Sequence, residues 1–263
     1  MTAELLVLPA LERAPRLEFD RLRQLTLAAL GHPGGRAWQL NPIDGGAQIV
    51  AGGPDGSRSD VGSRTIRLTA GAALATMRLG IATIGRRPVV SLMPEAIGRT
   101  VLAVLRHGAQ AGPTPTERAL AAMVGPAGRS LPMVSDLPAP AGLQMHARAA
   151  VEAEGLWLRT IDEAGRAQLA DVAPQIAHLP SAARLMAIGG NHDVPVEHIR
   201  AGCALQNLVL TVRLLGGTVA PVGWPADLAG WQQTRLLRSL AGPFPHVLVA
   251  VSGAAAPSWA SYR

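Results

Sequence analysis

Residues 70–85 read AGAALATMRLGIATIG, and residues 201–216 read AGCALQNLVLTVRLLG. Leu74, Met77, Ile81 and Ile84 recur at i, i+3, i+7 and i+10, a spacing that lines apolar side chains along one stripe of a helix. Leu205, Leu208, Val212 and Leu215 repeat that stripe, and Gly85 and Gly216 each stand where a helix-ending glycine belongs. The offset between the segments is a constant 131 residues, half of the 263-residue chain to within one residue. Six of the sixteen aligned positions are identical, and three more exchange one large aliphatic side chain for another. An extended run follows each helix and ends at Pro94 or Pro225, again 131 apart. Alanine-rich and leucine-rich helices resemble one another by chance, which is one explanation. Shared phase, shared cap and half-length spacing favour the other, duplication and fusion, in which two halves pack about a pseudo-two-fold axis as a dimer would.

Working outward, Leu17, Leu22, Leu25 and Leu30 predict an amphipathic helix over 16–30, broken by Gly31, Pro33, Gly34 and Gly35. AWQLNP and AQIVAG around Asp44-Gly45-Gly46 predict two strands joined by a turn, followed by the polar loop GGPDGSRSDVGSR. PVVSLMP and TVLAVLRH are further strand candidates. Thr114-Pro115 opens a short helix through Met123, and residues 141–154 form an alanine-rich one. LWLRTI reads as a strand, Asp162 as an N-cap, IGGNHDVP as a loop, DLAGWQQTRLLRSL as an extra helix and HVLVAVS as a strand.

Composition narrows the class. Apolar residues make up 48% and charged residues 16%, which excludes extensive disorder and predicts one compact unit spanning 1–263, with halves near 1–131 and 132–263. The formal charge of +6 suggests a nucleic-acid partner, yet all 24 basic residues are arginine and they are dispersed, so a solvated arginine-bearing surface is the simpler reading. The single cysteine, Cys203, sits on the apolar repeat and reads as a small buried residue. The start of the chain carries Glu4 and no basic n-region, and the longest stretch without Arg, Asp or Glu is broken by prolines and glycines. The expectation is a cytoplasmic protein with no signal peptide and no membrane span.

IRAGCALQNLVLTVRLLGGTVAPVGWP resembles the "RAG.ALQ..LL.A..LGL...P...P" segment of flavin-dependent nitroreductases, specifically the Acg-type mycobacterial branch, in which two nitroreductase-like halves are fused. FPHVLVAVSG resembles that family's terminal "PQ.LLRVG" strand, and the first echo with RPVVSLMP resembles the corresponding N-terminal segment. The resemblance implies an α+β fold: a central, mostly antiparallel sheet flanked by helices, with FMN where the halves meet. It also implies a flavoprotein oxidoreductase, a monomer or a homodimer.

The flavin motifs depart from the family pattern. Where the family writes APSxHNxQPW, this chain reads LGHPGGRAW; aligned on Trp38, Gly31 replaces the serine, Gly34 the asparagine and Arg36 the glutamine. The arginine motif RRTDRRPF is reduced to GPAGRSLPM, with Arg129 its one basic residue, and Ala250 stands for the arginine of the terminal strand. The chain is also shorter between Ser181 and Val194, where the family places a lid. Each lost contact weakens binding by about 1–3 kcal/mol, and every ~1.4 kcal/mol is tenfold. The remaining cofactor-binding candidates are Arg36, Trp38, Arg129, Gly216, Gly217, Gly223 and Trp224.

Catalytic residues cannot be assigned from sequence, because no GxSxG, GxxxxGK[ST], CxxC or GxGxxG occurs. His192, Asp193, Glu197 and His198 crowd one loop and helix start, but their spacing matches no zinc signature; they read as capping and solvated charges, and no metal is assigned. The expected function is therefore a nitroreductase-fold pseudoenzyme, non-catalytic or weakly active, that binds a flavin or a protein partner. The alternatives are a working FMN-dependent NAD(P)H oxidoreductase acting on nitro or quinone acceptors, and an arginine-rich module that docks on RNA.

Overall fold

A computed structural model describes residues 38–52, 64–94, 100–124, 134–223 and 231–254. The expected helix over 16–30, most of the polar loop after Gly52, and Arg36, Arg129 and Trp224 lie outside the described residues.

The fold is α+β, with two four-stranded antiparallel sheets and seven helices among the described residues. In the first half, β1 (Trp38–Ile43) and β2 (Gly46–Ala51) form a hairpin, helix α1 (Arg64–Thr83) follows, and β3 (Arg86–Leu92) and β4 (Val101–Gln110) complete a sheet ordered β1-β2-β4-β3. The connection to the second half carries α2 (Pro115–Met123) and α3 (Leu143–Glu152). Then come β5 (Trp157–Thr160), α4 (Glu163–Val172), α5 (Pro174–Ala177), β6 (Arg184–Gly190), α6 (Pro195–Leu214), β7 (Gly217–Gly223), α7 (Trp231–Ala241) and β8 (Phe244–Gly253). The second sheet is ordered β5-β6-β8-β7, so each half places its first strand at one edge and the strand after its long helix at the other. The strands are thus divided between two sheets instead of gathered into the single central sheet expected from the resemblance.

Local chemistry explains most element ends. Gly45 (φ 65°) turns the first hairpin, and Gly85 and Gly216 take nearly identical left-handed angles of 80° and 77° after the long helices. Thr114 and Glu117 form a reciprocal capping box on α2, and the Asp162 side chain accepts the Gly165 N–H at 2.8 Å. The expected loop IGGNHDVP needs correction: Ile188, Gly189 and Gly190 belong to β6, a strand the sequence reading missed. Its glycines are there for close approach. A Cβ on Gly189 would stand 2.2 Å from the Trp157 ring, and one on Gly190 would stand 2.0 Å from the Glu197 carboxylate.

Helices α1 and α6 span 64–83 and 195–214, and β3 and β7 span 86–92 and 217–223, so both pairs keep the 131-residue offset. The echoed helices begin six residues before the repeated text does, and both are buried on most sides instead of along one stripe. They cross at Gly71 and Gly202 in backbone-to-backbone contact. A Cβ on Gly71 would lie 2.0 Å from the Ile199 carbonyl oxygen, and one on Gly202 would lie 1.9 Å from that of Leu68. The contacts are reciprocal, because 68 and 199, like 71 and 202, are 131 apart. Ala70, Ala73, Ala201 and Ala204, all fully buried, keep the surrounding surface low enough for that approach. Cys203 is buried here as expected, its S–H donating to the Gly71 carbonyl at 3.1 Å, and burial pushes its thiol pKa up to about 12.

Around the crossing the core divides by period. In the second sheet Met186, Ile188, Val247, Val249 and Val251 face α3 and α6, while Leu185, Ala187 and Leu248 face α4, α5 and α7. No described helix is long and apolar enough to cross a membrane.

Candidate functional site

A polar cluster lies at the N-terminal ends of α1 and α6. Asp193 precedes α6, whose first turn carries Glu197 and then His198; Arg64 and Arg67 come from the first turn of α1, and His246 from β8. Arg67 Nε donates to His198 Nδ1 at 3.1 Å, joining two residues that are themselves 131 apart. His198 Nε2 lies 2.7 Å from Asp193 Oδ1, and Arg64 pairs with the same oxygen. Glu197 Oε2 accepts the His192 N–H at 3.0 Å and faces His246 Nε2 at 3.4 Å. The two imidazoles meet edge to face with centroids 5.2 Å apart.

Of the four residues expected to cap the helix and carry solvated charge, His192 and Asp193 are exposed, but the reading needs correction for the cap and for Glu197 and His198. The α6 N-cap is Val194, with no side-chain cap bond, while Glu197 and His198 are buried and His246 is completely so. Burial is made tolerable by specific partners: the Glu197 carboxylate accepts the His192 N–H at a helix N-terminus, which favours an anion, and His198 is held between Arg67 and Asp193.

The guanidinium fixes the proton inventory. Because an arginine Nε–H can only donate, His198 Nδ1 must accept, and the ring proton sits on Nε2, where it donates to Asp193. Burial lowers the His198 pKa to about 4, and Arg64 and Arg67 add to that against the opposing Asp193 bond. Burial likewise lowers the pKa of His246. The Asp193 carboxyl is desolvated, yet the His198 bond and the Arg64 charge hold it below its ordinary value.

Ligand atoms of Asp193, His198 and His246 lie within 4.8 Å of one another, so a metal reading has to be tested. It fits poorly. A cation on His198 Nε2 would displace the proton to Nδ1, straight against the Arg67 Nε–H, with Arg64 as a second cation on the carboxylate. Neither buried imidazole opens to solvent for proton transfer to a substrate. His246 Nδ1 makes no hydrogen bond among the described residues. What this arrangement does is bind α1, α6 and β8 together at one point.

The described residues among the cofactor candidates sit elsewhere. Trp38 is buried in the first core, its indole N–H donating to Thr69 Oγ1 at 3.2 Å. Gly216 N–H donates to the Arg213 carbonyl, and its own carbonyl accepts from Ala254. Gly217 pairs with Gly253 and Gly223 with Leu248 at opposite ends of β7. These groups are engaged in turns, core and ladder. Arg64, Arg67 and His246 had escaped sequence reading, because they come from two segments remote from the HDVPVEH run; the one available signal was that positions 67 and 198 are equivalent in the echo. Neither a protein-family model nor a curated protein sequence matches the chain.

Proposed function

We propose that this chain is an internally duplicated, nitroreductase-like scaffold whose flavin site has eroded, acting as a non-catalytic or weakly active binding protein. The observation that carries the reading is the 131-residue offset shared by α1 and α6, by β3 and β7, and by the reciprocal glycine contacts at their crossing. Equal strand order in the two sheets supports the same origin. Supporting the loss of flavin are Gly31 and Gly34 in place of polar motif residues, and the prior engagement of Trp38, Gly216 and Gly217. A monomer is favoured: the second half supplies the packing partner an unfused chain would take from another copy, and edge strands β3 and β7 carry Pro88 and Pro221, which blunt strand addition.

The test is spectroscopic. Purified protein is expected to be colourless, and added FMN to leave its melting temperature unchanged. A stoichiometric flavin spectrum that reduces with NAD(P)H would overturn the reading in favour of an FMN oxidoreductase. An RNA-docking role has less support, since Arg64, Arg78 and Arg87 are already paired with Asp193, Glu154 and Glu117.

A further inference from the structure

A cavity of about 520 Å³ opens between α1, β3 and α6, within the size range of small-molecule sites. Its lining is mixed: Leu74 from α1, Pro88, Val90 and Leu92 from β3, and Val196 from α6 form an aliphatic strip, and Arg78, Glu154, Arg200 and Cys203 supply a polar part that is at least as large. Two arginines and one carboxylate are among its lining residues. Arg78 pairs with Glu154 at 2.7 Å, and Glu154 also accepts from Asn207 Nδ2 at 3.0 Å, so that carboxylate is already satisfied and neutralised. Arg200 is exposed and has no ion-pair or hydrogen-bond partner among the described residues.

We propose that this cavity binds an aliphatic monocarboxylate, its chain along Val90, Leu92 and Val196 and its carboxylate held by Arg200, with the Arg78 guanidinium beside it. The net charge of the site decides the anion. Arg78 and Glu154 cancel, leaving one uncompensated cation, which suits a single negative charge better than a phosphate dianion. The wall decides the body. Among the described residues no aromatic side chain lines the cavity to stack on a planar ring or nucleobase, whereas a flexible alkyl chain buries well against leucine, valine and proline. The inference goes beyond the eroded-flavin reading, because none of these residues is among the flavin contacts implied by the family resemblance.

Octanoate titrated into the full-length protein near pH 7.5, followed by calorimetry, tests it, with neutral octanamide as the matched probe. Saturable octanoate binding at one site is expected, with Arg200→Gln weakening it at least tenfold and leaving octanamide within twofold. Arg200→Glu should abolish octanoate binding, while Arg148→Gln, an equal charge change outside the cavity, should leave it intact. The melting temperature of each variant, compared with the parent, separates lost binding from lost fold. Absence of saturable binding overturns the proposal. So does an Arg200→Gln variant that binds octanoate normally, or equal weakening by Arg148→Gln, which would mark a general charge effect.

Discussion

The middle of the α1–α6 pair and its N-terminal end are held by opposite kinds of force. At Gly71 and Gly202 the helices touch through backbone, with alanines around them and a single weak thiol bond. Four to nine residues towards their N-terminal ends, Arg64, Arg67, Asp193, Glu197 and His198, joined by His246 from β8, hold the same helices through directed bonds between charged groups and neutral, buried imidazoles. The first contact depends on what is missing from the side chains, the second on where protons sit. The contrast teaches that one helix pair can be indifferent to pH at its crossing and sensitive to it a turn away.

The largest effect should come from the crossing. Gly71→Ala and Gly202→Ala each drive a methyl group into a backbone carbonyl that cannot swing aside, and should cost more than about 3 kcal/mol, or roughly 6–12 °C in Tm. If the halves are equivalent, the two losses match in thermal melts; a large inequality would break that equivalence. Next is Arg67→Met, which leaves His198 Nδ1 unpaired and should cost about 1–3 kcal/mol by denaturant titration. In the parent, NMR should find His198 titrating near pH 4, and in the variant at a higher pH, because one of the lowering charges is gone.

Acid should separate the two regions further. His198 and His246 both have folded pKa values below those of the unfolded chain, so the unfolded state binds protons first. Their stabilisation is complete above about pH 6.5 and is lost as pH falls below it, that of His198 down to about pH 4 with a contribution of at most about 3 kcal/mol. Asp193, lowered relative to an ordinary carboxyl, adds its loss only at still lower pH. Melts of the parent should therefore weaken across that upper window, and Arg67→Met should flatten the slope. The smallest effect is expected at Cys203: Cys203→Ala should cost about 1 kcal/mol, and the native thiol should resist alkylation at pH 8 by intact-mass analysis until the protein unfolds.

The same contrast decides how much could be read in the sequence. The AG(A/C)AL echo states the crossing directly, since small residues at one helical phase leave a backbone exposed and a constant offset supplies the partner. The strands from Trp38 to Ala51, the capped helix at Thr114 and the N-cap at Asp162 were legible because each depends on neighbours in the chain. Strand β6 was hidden by Gly189-Gly190, whose absent side chains make room for Trp157 and Glu197 from other elements. The polar cluster was half hidden for a related reason. HDVPVEH announces four titratable residues, but the burial of Glu197 and His198 depends on Arg67 and His246, which only the fold delivers.

The crossing also sets a timetable. Cys203 and Gly71 are 132 residues apart, so α1 leaves the ribosome long before α6 exists to cover it. At roughly 5–20 residues per second, synthesis of the intervening chain takes about 7–26 s. Throughout that interval a helix destined to be buried on most sides must wait without its partner, and closing so long a loop comes late in folding. For this chain the vulnerable moment is during its own synthesis, when the first half holds a finished surface for a second half not yet made.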